Sequence, residues 1–405
     1  MNIRRPYILT INAGSSSIKF ALYTVGSNQK PAAVFSGAVS SIGWPSAQLA
    51  ITEIASGKKT EKPIHASDCV AAVKVVMSWL NEHVPTEELL AVGHRIVHGG
   101  PYYQDPQLIT DTTVATLQKV IKFDPIHMPD ELALVAAFTK EYPGVAQIAC
   151  FDTSFHKDLP RAAQLLPIPR KYDTKGIRRY GFHGLSCAYI IDELETIAGP
   201  EAANGRVLIA HLGNGVSLTA VKNRQSVDTT MALTPAAGVP MSTRSGDLDP
   251  GIVRYLADTE GQTAAEFDTM VTAQSGLLGM SETTADMKLL LEQEEKDERA
   301  KEAVAVFCYG IKKSIGALAA ALGGIDTLVF TGGMGENAPK IRARVCEGLE
   351  FLGISVDPVK NGRMAEVISP EGGGVTVRVM PTDESLTIAR QSLQLMERGD
   401  YEANK

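Results

Sequence analysis

Two stretches about 200 residues apart share one plan, and this internal repeat constrains the fold more than any other feature of the sequence. "ILTINAGSSSIKFALY" (residues 8–23) and "RVLIAHLGNGVSLTAV" (206–221) each place a short Gly/Asn/Ser segment between two apolar runs. Such runs predict strands joined by a tight turn. Because the second copy begins near the middle of the 405 residues, the repeat predicts two domains of related topology.

The segments between and after the two copies alternate between strand and helix patterns. Helices are predicted over residues 66–84, 130–142, 299–322, 338–352 and 383–398, and strands over 33–42, 91–100, 146–156, 327–330 and 375–380. Ser67 or Asp68 is placed to cap the first of these helices. The mixed-sign charge run at 291–303 is typical of a solvated helix face. Alternating strands and helices predict an α/β fold.

Charge and cysteine usage limit the classes of function. The formal net charge of −7 argues against a general nucleic-acid-binding protein, which normally shows a basic excess. The five cysteines lie far apart and form no CxxC pair, which favours reduced thiols in a cytosol; they are Cys69, Cys150, Cys187, Cys308 and Cys346. No run approaches the ~18 apolar residues of a membrane span, and the apolar run at the N-terminus is too short for a signal peptide. We therefore expect a cytoplasmic protein without a membrane or nucleic-acid partner.

The first turn of the repeat, "NAGSSS" (12–17), is typical of a phosphate site. Small residues let backbone N–H groups approach an anion, and Lys19 can add a positive charge. The turn is not a P-loop, because GxxxxGK[ST] is absent, and an ordinary hairpin turn stays open as an explanation. A second glycine segment, "GGMGENAP" (332–339), is predicted to be a loop that follows a buried strand and opens a helix, which suits parts of a nucleotide.

A cation and two histidines stand together in "GHRIVHGG" (93–100). His94 and His98 are four residues apart, but the glutamate of HExxH is missing and the neighbouring β-branched residues indicate a strand, so zinc binding is the weaker alternative. Arg95 is flanked by apolar residues, which indicates that its side chain points to the opposite face or into a cleft. We expect Arg95, and not the histidines, to contact a ligand.

Other charged residues lie beside glycines or at element ends. "RRYGFHGLS" (178–186) and "MSTRSGDLDPG" (241–251) combine a cation or histidine with glycines, which allow close approach of a ligand or form a plain turn. Asp152 ends a predicted strand, and Asp383 and Glu384 begin the last helix, where an acid is most often a cap.

Taken in order, these segments resemble the acetate kinase family over nearly the whole chain. The resemblance is carried by "INAGSSSIKF", "VGHRIVHGG", "FDTSFH", "RYGFHGLS", "HLGNGVSL", "TRSGDLDPG", "FTGGMGEN" and "TDESLTIAR". It implies the fold shared by actin and sugar kinases, with two domains of duplicated ribonuclease-H-like topology and the active site in the cleft between them. The N-terminal domain would span residues 1–150, completed by a helix at 384–405, and the C-terminal nucleotide-binding and dimerisation domain would span 151–383.

The implied reaction is ATP + acetate = ADP + acetyl phosphate, by direct in-line transfer, with Mg²⁺ or Mn²⁺, in a homodimer. A carboxylate nucleophile is ionised at neutral pH and needs no general base. It needs cations that hold it beside an anionic phosphate and that stabilise the phosphoryl group during transfer.

The resemblance also implies roles for individual residues. The catalytic set would be Arg95, Asp152, His183 and Arg244. The acetate site would be lined by Arg95, Val97, Ile126, Phe182 and Pro235, and the metal would be held by Asn12 and Glu384. Nucleotide contacts would come from Ser15, Ser17, Lys19, His211, Leu212, Gly213, Asn214, Gly215, Asp286, Met287, Lys288, Gly332, Gly333, Met334, Gly335, Glu336 and Asn337.

The chain departs from the family's pattern at three places. Cys187 stands where the family usually has a second histidine after "GFHG". Lys288, in "ADMK", stands for an arginine near the adenosine, and lysine lacks the planar guanidinium that stacks on a base. The run "TPAAGVPMSTRSG" (234–246) is less bulky than usual before its arginine, which could change the acyl pocket.

Four alternatives stay open. A kinase of propionate or another short acid differs by one methylene, worth only about 1–3 kcal/mol in an apolar pocket. A pyrophosphate-dependent variant is disfavoured by the glycines of "GGMGEN". A non-enzymatic, actin-like nucleotide switch should lack the acyl-acceptor residues, which are present. A sugar kinase should offer a polar pocket with a base for a hydroxyl, and the expected pocket is apolar.

Overall fold

The computed structural model describes residues 7–14, 17–26 and 30–398. The chain divides into two compact units. The first contains the described residues up to Ser154 and those from Asp383 onward, and the second contains Phe155–Thr382.

The first unit is a mixed sheet with helices against it. Its elements in chain order are β1 (Tyr7–Ala13), β2 (Ile18–Val25), β3 (Pro31–Ser40), β4 (Gln48–Glu53), β5 (Lys59–Pro63), α1 (Cys69–His83), β6 (Leu89–Ile96), β7 (Gln107–Leu108), α2 (Asp111–Val120), α3 (Met128–Glu141) and β8 (Ala146–Phe151). In the part of the chain that the structure describes, the strand order is β5-β4-β3-β2-β1-β6-β8-β7. Apolar residues of β1 and β2 pack with α1 and α3 in one core that includes Phe20, Trp79 and Phe138.

Local patterns account for the early elements. The backbone N–H of Gly14 donates to the oxygen of Ser17 at 2.8 Å, which closes the turn between β1 and β2. Helix α1 begins after Asp68, whose carboxylate accepts a hydrogen bond from the backbone N–H of Ala71 at 2.8 Å. The predicted hairpin and the predicted cap at Asp68 are therefore confirmed.

The second unit carries a smaller sheet and more helices. Its elements are α4 (Arg161–Gln164), α5 (Gly184–Ala198), α6 (Pro200–Asn204), β9 (Arg206–Leu212), β10 (Val216–Lys222), β11 (Gln225–Thr229), α7 (Gly251–Glu260), α8 (Ala264–Ala273), α9 (Gly276–Ser281), α10 (Met287–Gln293), α11 (Glu298–Leu322), β12 (Thr327–Thr331), α12 (Gly332–Asn337), α13 (Pro339–Cys346), α14 (Pro358–Gly362) and β13 (Thr376–Val379). The strand order is β11-β10-β9-β12-β13.

The last helix, α15 (Glu384–Glu397), belongs to the first unit although it follows the second in the chain. It packs against β1, β2 and β6, and its residues Ala389 and Leu393 are buried with Ile8 of β1 and Tyr23 of β2. The N-terminal unit is thus completed by the C-terminal segment of the chain.

The two sheets repeat one topology. In the first, β3, β2 and β1 are antiparallel neighbours, and β6 and β8 continue in parallel. In the second, β11, β10 and β9 are antiparallel neighbours, and β12 and β13 continue in parallel. The prediction of a duplicated α/β fold is confirmed.

Helix α11 differs from expectation. It is long and apolar enough to cross a membrane by length and composition alone, whereas we expected no such stretch. Its buried residues recur every three or four positions and include Val304, Phe307, Ile311 and Ile315. This face packs against β9 and β10, which is the pattern of a core helix.

The charge run at 291–303 also differs from expectation. It is not one solvated face, because α10 ends at Gln293 and α11 begins at Glu298. Glu294 in this run is 8% exposed and accepts hydrogen bonds from both terminal nitrogens of Arg344, at 2.6 and 2.8 Å. The prediction was wrong for Glu294 because a bidentate arginine compensates its burial.

Candidate active site

Arg95 lies where three strands of the first sheet end. It is near the end of β6, whose parallel neighbours β1 and β8 lead to Ala13 and Asp152. Nε and Nη2 of Arg95 donate to Oδ2 of Asp152 at 3.0 and 2.5 Å. Nη1 donates to the backbone oxygen of Ala13 at 3.3 Å and to Oε1 of Glu131, in α3, at 3.0 Å. Of the five guanidinium N–H groups, one on Nη2 is left without an acceptor among the described residues.

Two buried carboxylates share this guanidinium. The side chains of Asp152 and Glu131 are 1% and 2% exposed. Burial raises the pKa of Glu131 to about 8 and that of Asp152 to about 6, against the lowering effect of Arg95. Burial alone would lower the pKa of Arg95, but the carboxylates raise it above its ordinary value, so Arg95 stays charged. Oδ1 of Asp152 is buried and accepts no hydrogen bond from the described residues.

Asn12 and Glu384 meet although 372 positions separate them, because α15 packs back on β1. Nδ2 of Asn12 donates to Oε2 of Glu384 at 2.7 Å. The helix cap is Asp383, which accepts from the backbone N–H of Leu386 at 2.8 Å. Capping therefore explains Asp383, while the carboxylate of Glu384 contacts the end of β1. Glu384 is also close enough to Asp152 to raise its pKa.

The oxygen atoms at this corner suit a hard divalent cation. Asn12, Glu384 and the unsatisfied Oδ1 of Asp152 offer amide and carboxylate oxygens, which Mg²⁺ prefers. Mg²⁺ is usually held by one or two carboxylates together with water and substrate phosphates. Within the described ranges, no group of three or more His, Cys, Asp or Glu side chains could hold a metal ion by itself. The residues present therefore fit a metal whose coordination a phosphate substrate completes.

The hairpin turn contributes Lys19 and Ser17 to the same unit. Lys19 is exposed and lies directly opposite Asn12 in the β1–β2 pairing, so both side chains leave the same face. Ser17 is partly buried and closes the turn through its backbone oxygen. Ser15, also predicted to contact nucleotide, lies outside the described residues.

The two histidines around Arg95 have structural partners. Nε2 of His94 is 2.8 Å from the side-chain oxygen of Gln147, and burial lowers the pKa of His94 to about 4. Nδ1 of His98 accepts a hydrogen bond from the backbone N–H of Gly100 at 2.8 Å. These contacts give both rings a structural role in the core.

The residues of the first unit that are predicted to line the acetate site differ in exposure. Val97 is 2% exposed, and its backbone N–H donates to Oε2 of Glu131 at 2.9 Å. Ile126 is 47% exposed, and its backbone N–H donates to the carboxylate of Asp124 at 3.2 Å. Val97 is thus part of a packed wall, whereas Ile126 lies on the surface of its unit.

His183 is the centre of a cluster in the second unit. It precedes α5 in a left-handed conformation (φ 58°), which is uncommon for residues other than glycine and is concentrated at functional sites. Its Nδ1 is 2.9 Å from Oγ of Ser217, and its ring stacks on that of His211 with centroids 4.2 Å apart. A Cβ added to Gly215 would lie 3.1 Å from Nε2 of His183 and 3.3 Å from Nη1 of Arg244. Two nitrogen atoms therefore converge on a point that only glycine leaves open.

Arg244 and Phe182 are each held by a backbone contact. Nη1 of Arg244 donates to the oxygen of Pro235 at 3.1 Å, which joins two predicted site residues. Phe182 is 1% exposed, and its carbonyl oxygen lies 2.9 Å from Nε2 of buried His156. His156 thus supports the segment that leads into His183.

The glycine segments of the second unit lie side by side. Gly332 has φ 78°, and a Cβ there would lie 2.9 Å from the carbonyl carbon and oxygen of Leu212. Leu212 is itself buried, so this residue can offer a ligand only its backbone, whereas Asn214 is exposed. Residues 332–337 were predicted to form a loop. They form helix α12 instead, which begins at Gly332, directly after β12.

Two polar side chains of α12 form hydrogen bonds to the backbone of the same helix. Oε1 of Glu336 accepts from the backbone N–H of Gly332 at 2.9 Å, and Nδ2 of Asn337 donates to the oxygen of Gly333 at 3.0 Å. Sequence reasoning missed Arg342, which is fully buried and donates at 2.8 Å to the backbone oxygens of Gly335 and Glu336. No sequence signal distinguishes this arginine from a surface residue of α13.

The predicted adenosine residues 286–288 cap and begin α10. Asp286 accepts from the backbone N–H of Lys288 at 2.8 Å, Met287 is buried, and Lys288 is exposed. Cys187 is buried, with Sγ 3.6 Å from Oγ1 of Thr219. The Cys187 departure therefore lies in the core of α5 and β10.

Glu131 is the other residue that sequence reasoning missed. It lies on the core-facing stripe of α3 with Met128, Leu134, Val135 and Phe138. An acid at an apolar position of a helix is a signal that could have been noticed, because an isolated charge there is costly. Glu131 also lies in the first turn of α3, where an acid is ordinarily accounted for by the helix dipole.

The chain is similar to known proteins in sequence and in fold. A sequence model described as the Acetokinase family matches residues 7–390. A protein named acetate kinase from Rhodopseudomonas palustris (strain TIE-1) is 42% identical over 398 residues, which cover 97% of this chain and 99% of the relative. The crystal structure of Porphyromonas gingivalis acetate kinase has a TM-score of 0.85 at 36% identity and covers 96% of this chain and 100% of its own. A propionate kinase structure from Francisella tularensis has a TM-score of 0.87 at 32% identity and covers 95% and 98%.

Proposed function

The chain belongs to the acetokinase family, and from that premise we propose that it catalyses ATP + acetate = ADP + acetyl phosphate. The observation that carries the proposal best is the open point at Gly215, on which Nε2 of His183 and Nη1 of Arg244 converge. Nitrogen donors around a space without a side chain are the arrangement that stabilises a phosphoryl group in transfer.

Acetate attacks phosphorus through its own carboxylate, which is ionised at neutral pH, so no residue has to act as a base. The remaining N–H of Arg95 on Nη2 holds one acetate oxygen, and the positive charge of Arg95 lowers the repulsion between acetate and ATP. Asp152 keeps the guanidinium in one orientation. Arg244 and His183 donate to the phosphoryl oxygens as negative charge shifts among them.

The nucleotide is held by both glycine turns and by α12. Lys19 and Ser17 contact phosphates in the first unit, and the His211–Gly215 backbone contacts them in the second. Segments 286–288 and 332–337 take the adenosine. Asn12 and Glu384 would hold Mg²⁺, with Asp152 adjacent. When bound, the ion neutralises charge on the phosphates.

Acetate is the preferred acid in this proposal because Val97 and Phe182, two of its proposed walls, are both buried. A propionate kinase is the second candidate, since the Francisella structure bearing that name is as similar in fold as the acetate kinase structure. The high exposure of Ile126 supports this second candidate. A side chain that is exposed to solvent is a weak steric barrier to the additional methylene of propionate.

We also propose that the protein is a cytoplasmic homodimer. Exposed apolar side chains occur on α7 and α11, where Tyr255 and Tyr309 are 65% and 60% exposed. Large exposed apolar side chains are the groups that association sites bury. The five cysteines are buried and form no disulfide, as expected for a reducing compartment. Light scattering of the wild type and of Tyr309→Glu tests the dimer: a monomeric wild type would refute it.

Hydroxylamine trapping tests the reaction directly, since it converts acyl phosphates into coloured hydroxamates. The purified protein is incubated with Mg-ATP and acetate, propionate or butyrate, and a matched set replaces ATP by pyrophosphate. Strong product with acetate and ATP supports the proposal, and product with propionate alone selects the second candidate. Absence of product with every acid and donor, from folded protein that binds ATP, refutes a kinase and favours a nucleotide switch.

A further inference from the structure

Glu131 places a carboxyl group in the core of the first unit that the reaction described above does not use. It belongs to the apolar stripe of α3, between Met128 and Leu134, and is 3% exposed. Its carboxylate does not cap its own helix but contacts β6 and the segment that follows β6. Burying an acid at this position is costly unless specific partners compensate it.

Each oxygen of Glu131 holds a different part of the acetate site. Oε1 accepts from Nη1 of Arg95 at 3.0 Å, and Oε2 accepts from the backbone N–H of Val97 at 2.9 Å. Arg95 is the anchor for the carboxylate of acetate, and Val97 is a wall for its methyl group. One rigid carboxylate therefore spans the anchor and the wall.

Among the partners of Arg95, Glu131 makes the shorter of the two contacts to Nη1. Asp152 fixes Nε and Nη2, while the backbone oxygen of Ala13 contacts Nη1 at the longer distance of 3.3 Å. Without Glu131, Nη1 keeps only this weaker contact among the described residues, and the buried N–H of Val97 loses its acceptor. Both changes affect residues proposed to contact acetate, and neither affects a residue proposed to contact the nucleotide.

We propose that Glu131 is a positioning residue that fixes the distance between the Arg95 anchor and the Val97 wall and thereby sets the preference for acetate over longer acids. The proposal rests on the proposed kinase reaction. Glu131 touches neither substrate; it acts through Arg95 and Val97.

The test compares Glu131→Gln with Glu141→Gln, the same chemical change at an exposed position of the same helix. The amide of Glu131→Gln keeps the volume but presents an N–H to one of the two donors. We expect kcat/KM for acetate to fall about 10- to 100-fold, the effect of losing a hydrogen bond to a charged group. We expect KM for ATP to stay within about twofold. The loss with propionate should be at least about fivefold smaller, because a loosened site accepts the added methylene. Glu141→Gln should match the wild type.

Equal losses with acetate and propionate, or a parallel rise of KM for ATP, would overturn the proposal in favour of a general structural role. Unchanged kinetics would overturn it as well. Glu131→Asp keeps the carboxyl group on a shorter side chain and provides a second variant. It should retain the contact with Arg95 but lose the preference for acetate over propionate.

A measurement without turnover separates this inference from the proposed reaction. The side-chain Nη1–H resonances of Arg95, which report on the contact with Glu131 and are assigned with Arg95→Lys, should give a sharp signal that is protected from exchange in the wild type and in Glu141→Gln. It should be broadened in Glu131→Gln. If the wild type forms no acyl phosphate, the kinase proposal fails, and this signal still decides whether Glu131 orders Arg95: an equally sharp signal in Glu131→Gln would refute it.

Discussion

Replacing Arg95 by methionine should destabilise the first unit as well as abolish turnover. The substitution preserves most of the side-chain volume but leaves Asp152 and Glu131 buried without their shared cation. Breaking a buried ion pair by removing one partner costs about 3–5 kcal/mol. A buried acid can limit this cost by taking up a proton, at about 1.4 kcal/mol for each pH unit above its ordinary pKa near 4.

The pH dependence of this loss follows from the direction of the pKa shifts. Arg95 lowers the pKa of both carboxylates, so its removal raises them further, and the folded variant binds more protons than the unfolded chain. The variant must therefore gain stability relative to the wild type on acidification. We expect the loss to be up to about 2 kcal/mol smaller at about pH 5.5 than at about pH 7.5, mostly through Asp152.

Urea unfolding followed by tryptophan fluorescence measures this effect selectively. Both tryptophans, Trp44 and Trp79, lie in the unit that contains Arg95. The matched control combines Arg95→Met with Asp152→Asn and Glu131→Gln; it should regain at least half of the lost stability while turnover stays lost. A loss below about 0.5 kcal/mol, or one that is equal at both pH values, would refute the charge-burial reasoning.

Three further predictions concern other parts of the structure. Arg244→Ala should lower kcat about 10²- to 10³-fold, because a preorganised cation at the phosphoryl group is lost; steady-state kinetics that show only a higher KM would contradict this. Gly332→Ala should raise KM for ATP at least tenfold, because the added Cβ would lie 2.9 Å from the backbone of Leu212. A left-handed alanine costs on the order of 1–2 kcal/mol. KM for acetate should not change. His94 is neutral when folded, with its pKa lowered by burial from 6.5 to about 4, and the unfolded chain takes up a proton below 6.5. Stability of the first unit should thus be full above pH 6.5 and decline towards about pH 4, by up to about 1.4 kcal/mol per pH unit, and the same urea titration of His94→Gln should show a shallower decline.

Elements that depend on neighbouring residues were predictable from the sequence. The β1–β2 turn closes between Gly14 and Ser17, and Asp68 caps α1 three residues ahead of Ala71, so the pattern and the contact lie within one short segment. The repeat predicted two related sheets because each copy carries its own strand–turn–strand pattern within one short segment. The predicted loop at Gly332 was wrong, since a buried strand before it and the carboxylate of Glu336 stabilise a helical turn at once.

The candidate site was predictable as a set of chemical groups but not as an arrangement. Arg95 and Asp152 are 57 positions apart, and Asn12 and Glu384 are 372 apart. Their contacts depend on the register of parallel strands and on the packing of α15, which no local pattern encodes. Glu131 escaped notice because its partners come from another element.

The sequence by itself determined the duplicated α/β plan, the family and the residue types available for phosphoryl transfer, since these follow from periodicity and from motifs in a fixed order. Only the tertiary structure decided that Asp152 and Glu131 share Arg95, and that His183 and Arg244 converge beside Gly215. The reason is physical: a side chain's charge is a property of the residue, but the energy of that charge depends on burial and on partners that long-range packing brings within about 3 Å.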